Sequence, residues 1–257
     1  GKAVLEEAHG ERGAEATGGA RPVGLCLSDG ARQGYTSSGF ASSDGRKRLE
    51  RAVDAFEARG WKVGFCLFDL TTQEGLSYHA DEEFYPASSI KGPYLVSLFE
   101  SEVEGGDVNL DELRDLSRDL VLYSDNDAYA SLVDQYGEEG FAGWLEEAGV
   151  DTGVYDDLGA YAETKYPRST PSQLADEWEG IHAYLDHRTK ASELLAGLFE
   201  ERETSPIRDA LGSDARSWSK AGWFPTRESD LVTPAANDAG IVLHRDGSGY
   251  VLAVMST

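Results

Sequence analysis

The plainest chemistry in this 257-residue chain is a serine followed three residues later by a lysine, Ser88-Ser89-Ile90-Lys91. A serine hydroxyl is a weak nucleophile until a neighbour removes its proton, and an amine does so when its own pKa is lowered. If Ser88 opens a helix, positions three apart share a face, and the Lys91 amine stands beside the hydroxyl. Pro93 suits the first turn of that helix, where its missing N–H had no helical partner. The spacing alone is weak, since Ser217-Trp218-Ser219-Lys220 repeats it. Two further triplets change its weight. Ser124-Asp125-Asn126 falls in a break between two helical stretches, and Lys220-Ala221-Gly222 lies on a later strand. Singly they read as a turn, an N-cap and a solvated strand charge. In order, on a helix start, an inter-helix break and a strand, they describe one cleft.

The elements that must position these residues follow from periodicity. Residues 1–45 read as a tail or linker, with the apolar run Pro22–Leu27 as an extra strand and a Ser/Gly-rich loop after it. Arg46–Arg59 places Leu49, Ala52, Val53 and Phe56 on one helical face, and Gly60 stops it. Trp61–Leu70 alternates as a strand and returns through a turn ending at Gly75 into Leu76–Ala80. Residues 107–205 are almost entirely helical in pattern. Thr170-Pro171-Ser172-Gln173 forms a capping box there, and Ser205-Pro206 caps a short helix ending at Gly212. Strands return at Arg216–Ala221, Ala239–His244 and Tyr250–Met255, with Asp246-Gly247 as a hairpin turn. The order predicts an α+β fold: five strands in one antiparallel sheet, flanking helices and an inserted all-helical lobe. Residues 46–91 and 212–257 form the α/β lobe, and 92–211 the insert. Ser88 then falls where the chain first crosses between lobes, a usual place for a cleft.

Composition excludes several classes. The net charge of −24 argues against nucleic acid and anionic membrane surfaces, which select basic proteins. No apolar run reaches the ~18 residues of a membrane span. The two cysteines, Cys26 and Cys66, read as two buried thiols, with a disulfide as the alternative in an exported protein. The five histidines are scattered, so no metal and no cofactor is expected. No signal peptide is visible. Because the chain opens on Gly1 rather than Met, it reads as trimmed, and export to the cell wall, periplasm or exterior is the expectation.

The three motifs together resemble the S-x-x-K, S-D-N and K-T-G signatures of the penicillin-recognising active-site serine enzymes. Residues 46–257 look most like class A β-lactamases and related serine hydrolases. Phe84–Lys91 resembles the nucleophile segment, Ser169-Thr170-Pro171 the helix start after the Ω loop, and Asn237-Asp238 the start of the strand after K-T-G. The resemblance implies a β-lactamase-like fold and a role for each position. Ser88 would be acylated, Lys91 would be its base, and Ser124 would pass the proton to the leaving nitrogen. Asn126 would bond the substrate's amide and Lys91, and Lys220 its carboxylate. The backbone N–H groups of Ser88 and Trp223, the residue after Gly222, would form the oxyanion hole. The indoles of Trp218 and Trp223 read as packing groups.

Four departures shape the expected activity. Ala221 stands where the family has a hydroxyl residue that binds the substrate carboxylate. No Ω-loop glutamate segment is recognisable between Val150 and Ser169, leaving Glu163 as the candidate general base, with Asp156 and Asp157 behind it. Only about thirty residues separate Lys91 from Ser124, so the cleft should be open. The family's last helix has no counterpart, so the Pro22–Ser43 segment or a partner subunit is expected to cover that sheet face, an oligomer being one route. The expected function is a serine hydrolase working through an acyl-enzyme on an amide or ester, with weak β-lactam turnover. A D-Ala-D-Ala carboxypeptidase-like penicillin-binding protein, or a non-catalytic cell-wall or ligand-binding module, are the alternatives. The partner is a small or peptidoglycan-derived acyl substrate.

Overall fold

In the computed structural model of the chain, residues 24–27, 44–73, 75–150, 165–202, 204–213 and 215–257 are described. Among these residues the sheet has six strands: β1 (Gly24–Leu27), β2 (Val63–Asp69), β3 (Gly75–Tyr78), β4 (Ala215–Phe224), β5 (Ala235–His244) and β6 (Gly249–Ser256). Their order is β1-β3-β2-β6-β5-β4. The five expected strands pair antiparallel, and the extra strand β1 joins the edge parallel to β3. Ser77 pairs with both Cys26 and Cys66, which sets the cysteines two strand spacings apart. That distance, about 9–10 Å, exceeds disulfide reach.

Alternation along the strands divides the apolar residues between two layers. Val63 and Phe65 of β2 and Tyr78 of β3 face helix α1 (Asp44–Glu57) and pack with its Val53. Cys66 and Phe68 face the other way, into the main core with Ile241, Val251, Ala253 and Met255. The central helix of that core is α6 (Pro171–Leu185), whose Leu174, Trp178, Ile181 and Leu185 are buried. Its capping box is formed as expected: Gln173 N–H donates to Thr170 Oγ1 at 3.1 Å, and Thr170 N–H to Gln173 Oε1 at 2.9 Å. Gly64 lets this helix dock, since a Cβ there would lie 2.7 Å from the His79 carbonyl oxygen and 3.0 Å from Pro171.

The remaining helices are α2 (Lys91–Leu98), α3 (Leu110–Leu122), α4 (Asn126–Tyr136), α5 (Glu139–Glu147), α7 (Lys190–Glu201) and α8 (Pro206–Leu211). Helix α2 starts from a 3₁₀ turn, Ala87–Ile90, and runs into a π-helical turn, Phe99–Val103. All eight of its residues are buried, so it forms the axis on which the helical insert packs. On the outer sheet face, α1 covers β2. Helix α8 covers the far end, where Ile207 N–H of α8 reaches Asp238 of β5. Tyr250 and Leu252 of β6 are half-buried between them. Of the segment expected to cover this face, residues 24–27 extend the sheet edge instead, and 28–43 lie outside the described residues.

Candidate active site

The first wall is the turn carrying Ser88. Ala87 takes a left-handed φ of 46°, an uncommon conformation for a residue with a Cβ. Asn237 of β5 holds the turn in place. Its Nδ2 donates to the carbonyls of Tyr85 (2.9 Å) and Pro86 (3.0 Å), while its Oδ1 accepts from Ser256 N–H (3.0 Å). Strand β4 crosses the same turn at close range. A Cβ on Gly222 would sit 2.6 Å from Ser88 N and 2.3 Å from Ser89 N, so only glycine fits. As the last strand of the sheet, β4 leaves alternate N–H groups without a strand partner. Ser88 itself is half-buried, and its hydroxyl makes no hydrogen bond among the described residues.

The second wall is the break between α3 and α4. Ser124 has a left-handed φ of 55°, and Asp125 caps α4 by accepting from Ala128 N–H at 2.7 Å. This turn aims three oxygens at the buried Lys91. Its Nζ donates to the Ser124 carbonyl (2.7 Å), the Asp125 carbonyl (3.3 Å) and Asn126 Oδ1 (2.7 Å). The ammonium also lies 5.7 Å from the centroid of the Tyr129 ring. Lys220 comes from β4 to the other side of the same serine, donating to Ser124 Oγ at 2.9 Å and to the Ala221 carbonyl at 3.0 Å.

Two buried lysines therefore share Ser124, and among the described residues neither forms an ion pair. Their pKa values move accordingly. Burial lowers Lys91 from 10.5 to about 8, partly offset by Asp125. Burial lowers Lys220 further, to about 7, with the Lys91 charge adding to it and Asp238 opposing it. An amine held near neutral pH can exist as a free base or as a cation, which suits one for proton transfer and the other for binding an anion.

The structure brings Ser88, Lys91, Ser124, Asn126, Lys220 and Gly222 together. Glu163, like Asp156 and Asp157, lies outside the described residues. The second S-x-x-K match is no site: three residues apart on a strand, Ser217 and Lys220 point to opposite faces. Trp223, read as a packing residue, is 68% exposed, whereas Trp218 packs against the main core. Sequence reasoning missed Tyr166. Its hydroxyl donates to Asn126 Oδ1 at 3.3 Å, and its ring lies between Tyr129 and Tyr85 with centroids at 5.3 and 6.1 Å. Its only signal was nearness to the Thr170 cap. No group of three His, Cys, Asp or Glu side chains among the described residues is placed to hold a metal.

With a serine turn at the sheet edge and two buried lysines set between the sheet and the helical insert, the protein is a serine hydrolase of the β-lactamase-related superfamily. The model of the beta-lactamase enzyme family matches residues 46–117 and 112–257, and the chain belongs to that family. Similar solved structures agree on the fold. A mutant of PBP-A, determined as its acyl-enzyme complex with penicillin G, is 21% identical with a TM-score of 0.63, over 82% of this chain and 88% of that one. A β-lactamase from Chitinophaga pinensis is 22% identical with a TM-score of 0.63, over 83% and 90%. One from Sphaerobacter thermophilus is 21% identical with a TM-score of 0.64, over 81% and 87%. No curated protein matches the sequence significantly.

Proposed function

We propose that the protein reacts with β-lactams, and with amides or esters of the same shape, through an acyl-enzyme on Ser88 that is released slowly. Neutral Lys91 takes the Ser88 proton as Oγ attacks the carbonyl carbon. The oxyanion is met by the backbone N–H groups of Ser88 and Trp223. Ser124 hands its proton to the leaving nitrogen and takes one from the Lys220 ammonium, its donor at 2.9 Å. The proton that Lys91 took from Ser88 then passes back through Ser124 to Lys220, which restores neutral Lys91 and the Lys220 cation that faces the substrate carboxylate. The observation carrying this reading is the convergence of two depressed-pKa lysines on Ser124 beside an unbonded serine hydroxyl. A ligand-binding module would have no use for a nucleophile and its base in that arrangement. Slow release is supported, among the described residues, by the side chain at the Asn126 end of the site, where Tyr166 supplies a phenol that burial holds protonated. The structure of a PBP-A mutant as its acyl-enzyme complex with penicillin G is in keeping with that reading. We further place the protein outside the cytoplasm, where a peptidoglycan-derived acyl substrate would meet it.

The test is intact-protein mass after incubation with penicillin G, wild type beside Ser88→Ala. A long-lived adduct on the wild type alone is expected. Rapid product release without an adduct would overturn slow deacylation. No adduct and no product, also across an ester and peptide panel, would overturn the enzymatic reading.

A further inference from the structure

An amide side chain is asymmetric, and its two ends offer a substrate opposite chemistry. If Asn126 presented its oxygen to the cleft, the site would select a donor; if its nitrogen, an acceptor. Two groups decide which. Lys91 Nζ, 2.7 Å from Asn126 Oδ1, is exclusively a donor while protonated, and the Tyr166 hydroxyl approaches the same oxygen at 3.3 Å. In the free-base form that takes the Ser88 proton, the amine also carries a lone pair that can accept a hydrogen bond, so before acylation it does not by itself enforce the orientation. The phenol stays protonated throughout, because burial holds its pKa above the ordinary range.

Tyr166 is itself firmly placed. Lys165, just before it, has a left-handed φ of 60°, a conformation that persists when its surroundings impose it. The Lys165 carbonyl accepts from Tyr129 Oη at 2.7 Å, and its ammonium pairs with Asp134 at 2.9 Å. Tyr129 and Asp134 both belong to α4, the helix that Asn126 opens. One rigid element therefore carries the amide and both anchors of the residue that orients it.

We infer that Tyr166 is a positioning residue that holds the Asn126 amide with Nδ2 toward the cleft, where the family resemblance puts the substrate's amide carbonyl. The inference rests on the acyl-enzyme reading and adds to it a residue.

The test is Tyr166→Phe, which keeps the ring and removes the hydroxyl. Acylation rate constants are read by mass for penicillin G, which carries an acylamino side chain, and for 6-aminopenicillanic acid, which carries only an amine. The expected result is a roughly tenfold fall for penicillin G with less than a twofold change for the amine, the scale of one lost hydrogen bond. Tyr129→Phe, which frees the Lys165 carbonyl but leaves Tyr166 and Asn126 intact, should show the same selectivity to a smaller degree. An equal fall on both substrates, or none on penicillin G, would overturn the inference. If the wild type takes neither compound, the acyl-enzyme reading fails, and the ¹⁵N–¹H signals of the Asn126 side chain decide this one. They should shift or broaden in Tyr166→Phe; unchanged signals would sink the positioning role.

Discussion

Strand β4 carries a buried polar cluster on each face, and the two are built on opposite plans. On the outer face, Arg202 donates to the Ser217 carbonyl (2.7 Å), Ser217 Oγ (2.5 Å) and Ser205 Oγ (3.2 Å). Ser205 and Ile207 N–H in turn donate to Asp238 at 2.8 and 3.0 Å. Cation and anion balance across a chain of hydroxyls. On the inner face, one residue along, Lys220 and Lys91 stand together against a serine and neutral carbonyls. Burying like charges without a counter-ion costs stability, so a fold keeps them only where their protons are used. The outer cluster is read as support and the inner one as chemistry, and substitutions should split along that line.

The largest effect belongs to Lys91→Met. It should lower the acylation rate by about a thousandfold, the scale of a lost general base, while leaving the thermal transition unchanged or raised. Acylation by mass and melting by calorimetry check both halves; a destabilised variant would make the inner cluster structural. Next comes Arg202→Met, which leaves Asp238 buried without its cation. A loss of about 3–5 kcal/mol is expected in urea unfolding, with acylation per folded molecule kept within twofold. Lys220→Met should do the reverse and stabilise by about 1–2 kcal/mol at pH 6. The folded pKa of Lys220 lies near 7, below its unfolded value of 10.5, so protons favour the unfolded chain between the two. The penalty is full below pH 7 and fades toward pH 10, and the advantage of the variant over wild type should fade with it. A constant advantage at all pH values would remove the charge explanation.

The smallest effect is the most diagnostic. Loss of the Lys91 proton should raise acylation with pH until about 8, while loss of the Lys220 charge weakens carboxylate binding above about 7. Penicillin G should therefore show a narrow optimum between the two, about tenfold down within a pH unit or so on either side. An ester without a carboxylate should follow only the rising limb and level off. Identical profiles for both would assign the falling limb to something other than Lys220.

The inner cluster was legible in sequence because its members belong to short local motifs. The Ser88 turn, the Asp125 cap and the Thr170 capping box are each set within four residues, and their order along the chain already implied one cleft. The outer cluster was not legible: Arg202 follows an amphipathic helix and reads as a surface charge, and Asp238 lies thirty-six residues further on. Only the docking of α8 against β4 and β5 joins them. Tyr166 was missed for a related reason. Its direction comes from a left-handed Lys165 pinned by a helix some thirty residues earlier, and no periodicity carries that. The antiparallel sheet followed from alternation, whereas the parallel setting of β1 depends on which edge was left open. Trp223 failed as a packing residue because an edge strand turns one side chain in two away from the core.

The Asn237 clamp has a consequence for timing. It joins β5 to Tyr85, 152 residues earlier in the chain, and takes its third bond from Ser256 in the last strand. Contacts of such long separation form late, after the helical insert has had every chance to assemble through local ones. A chain still being synthesised can thus carry Ser88 and Lys91 on a finished helix and yet be unreactive. On the acyl-enzyme reading, Ser88 is armed only when β5 and β6 close the sheet, so that reactivity itself would report completion of folding.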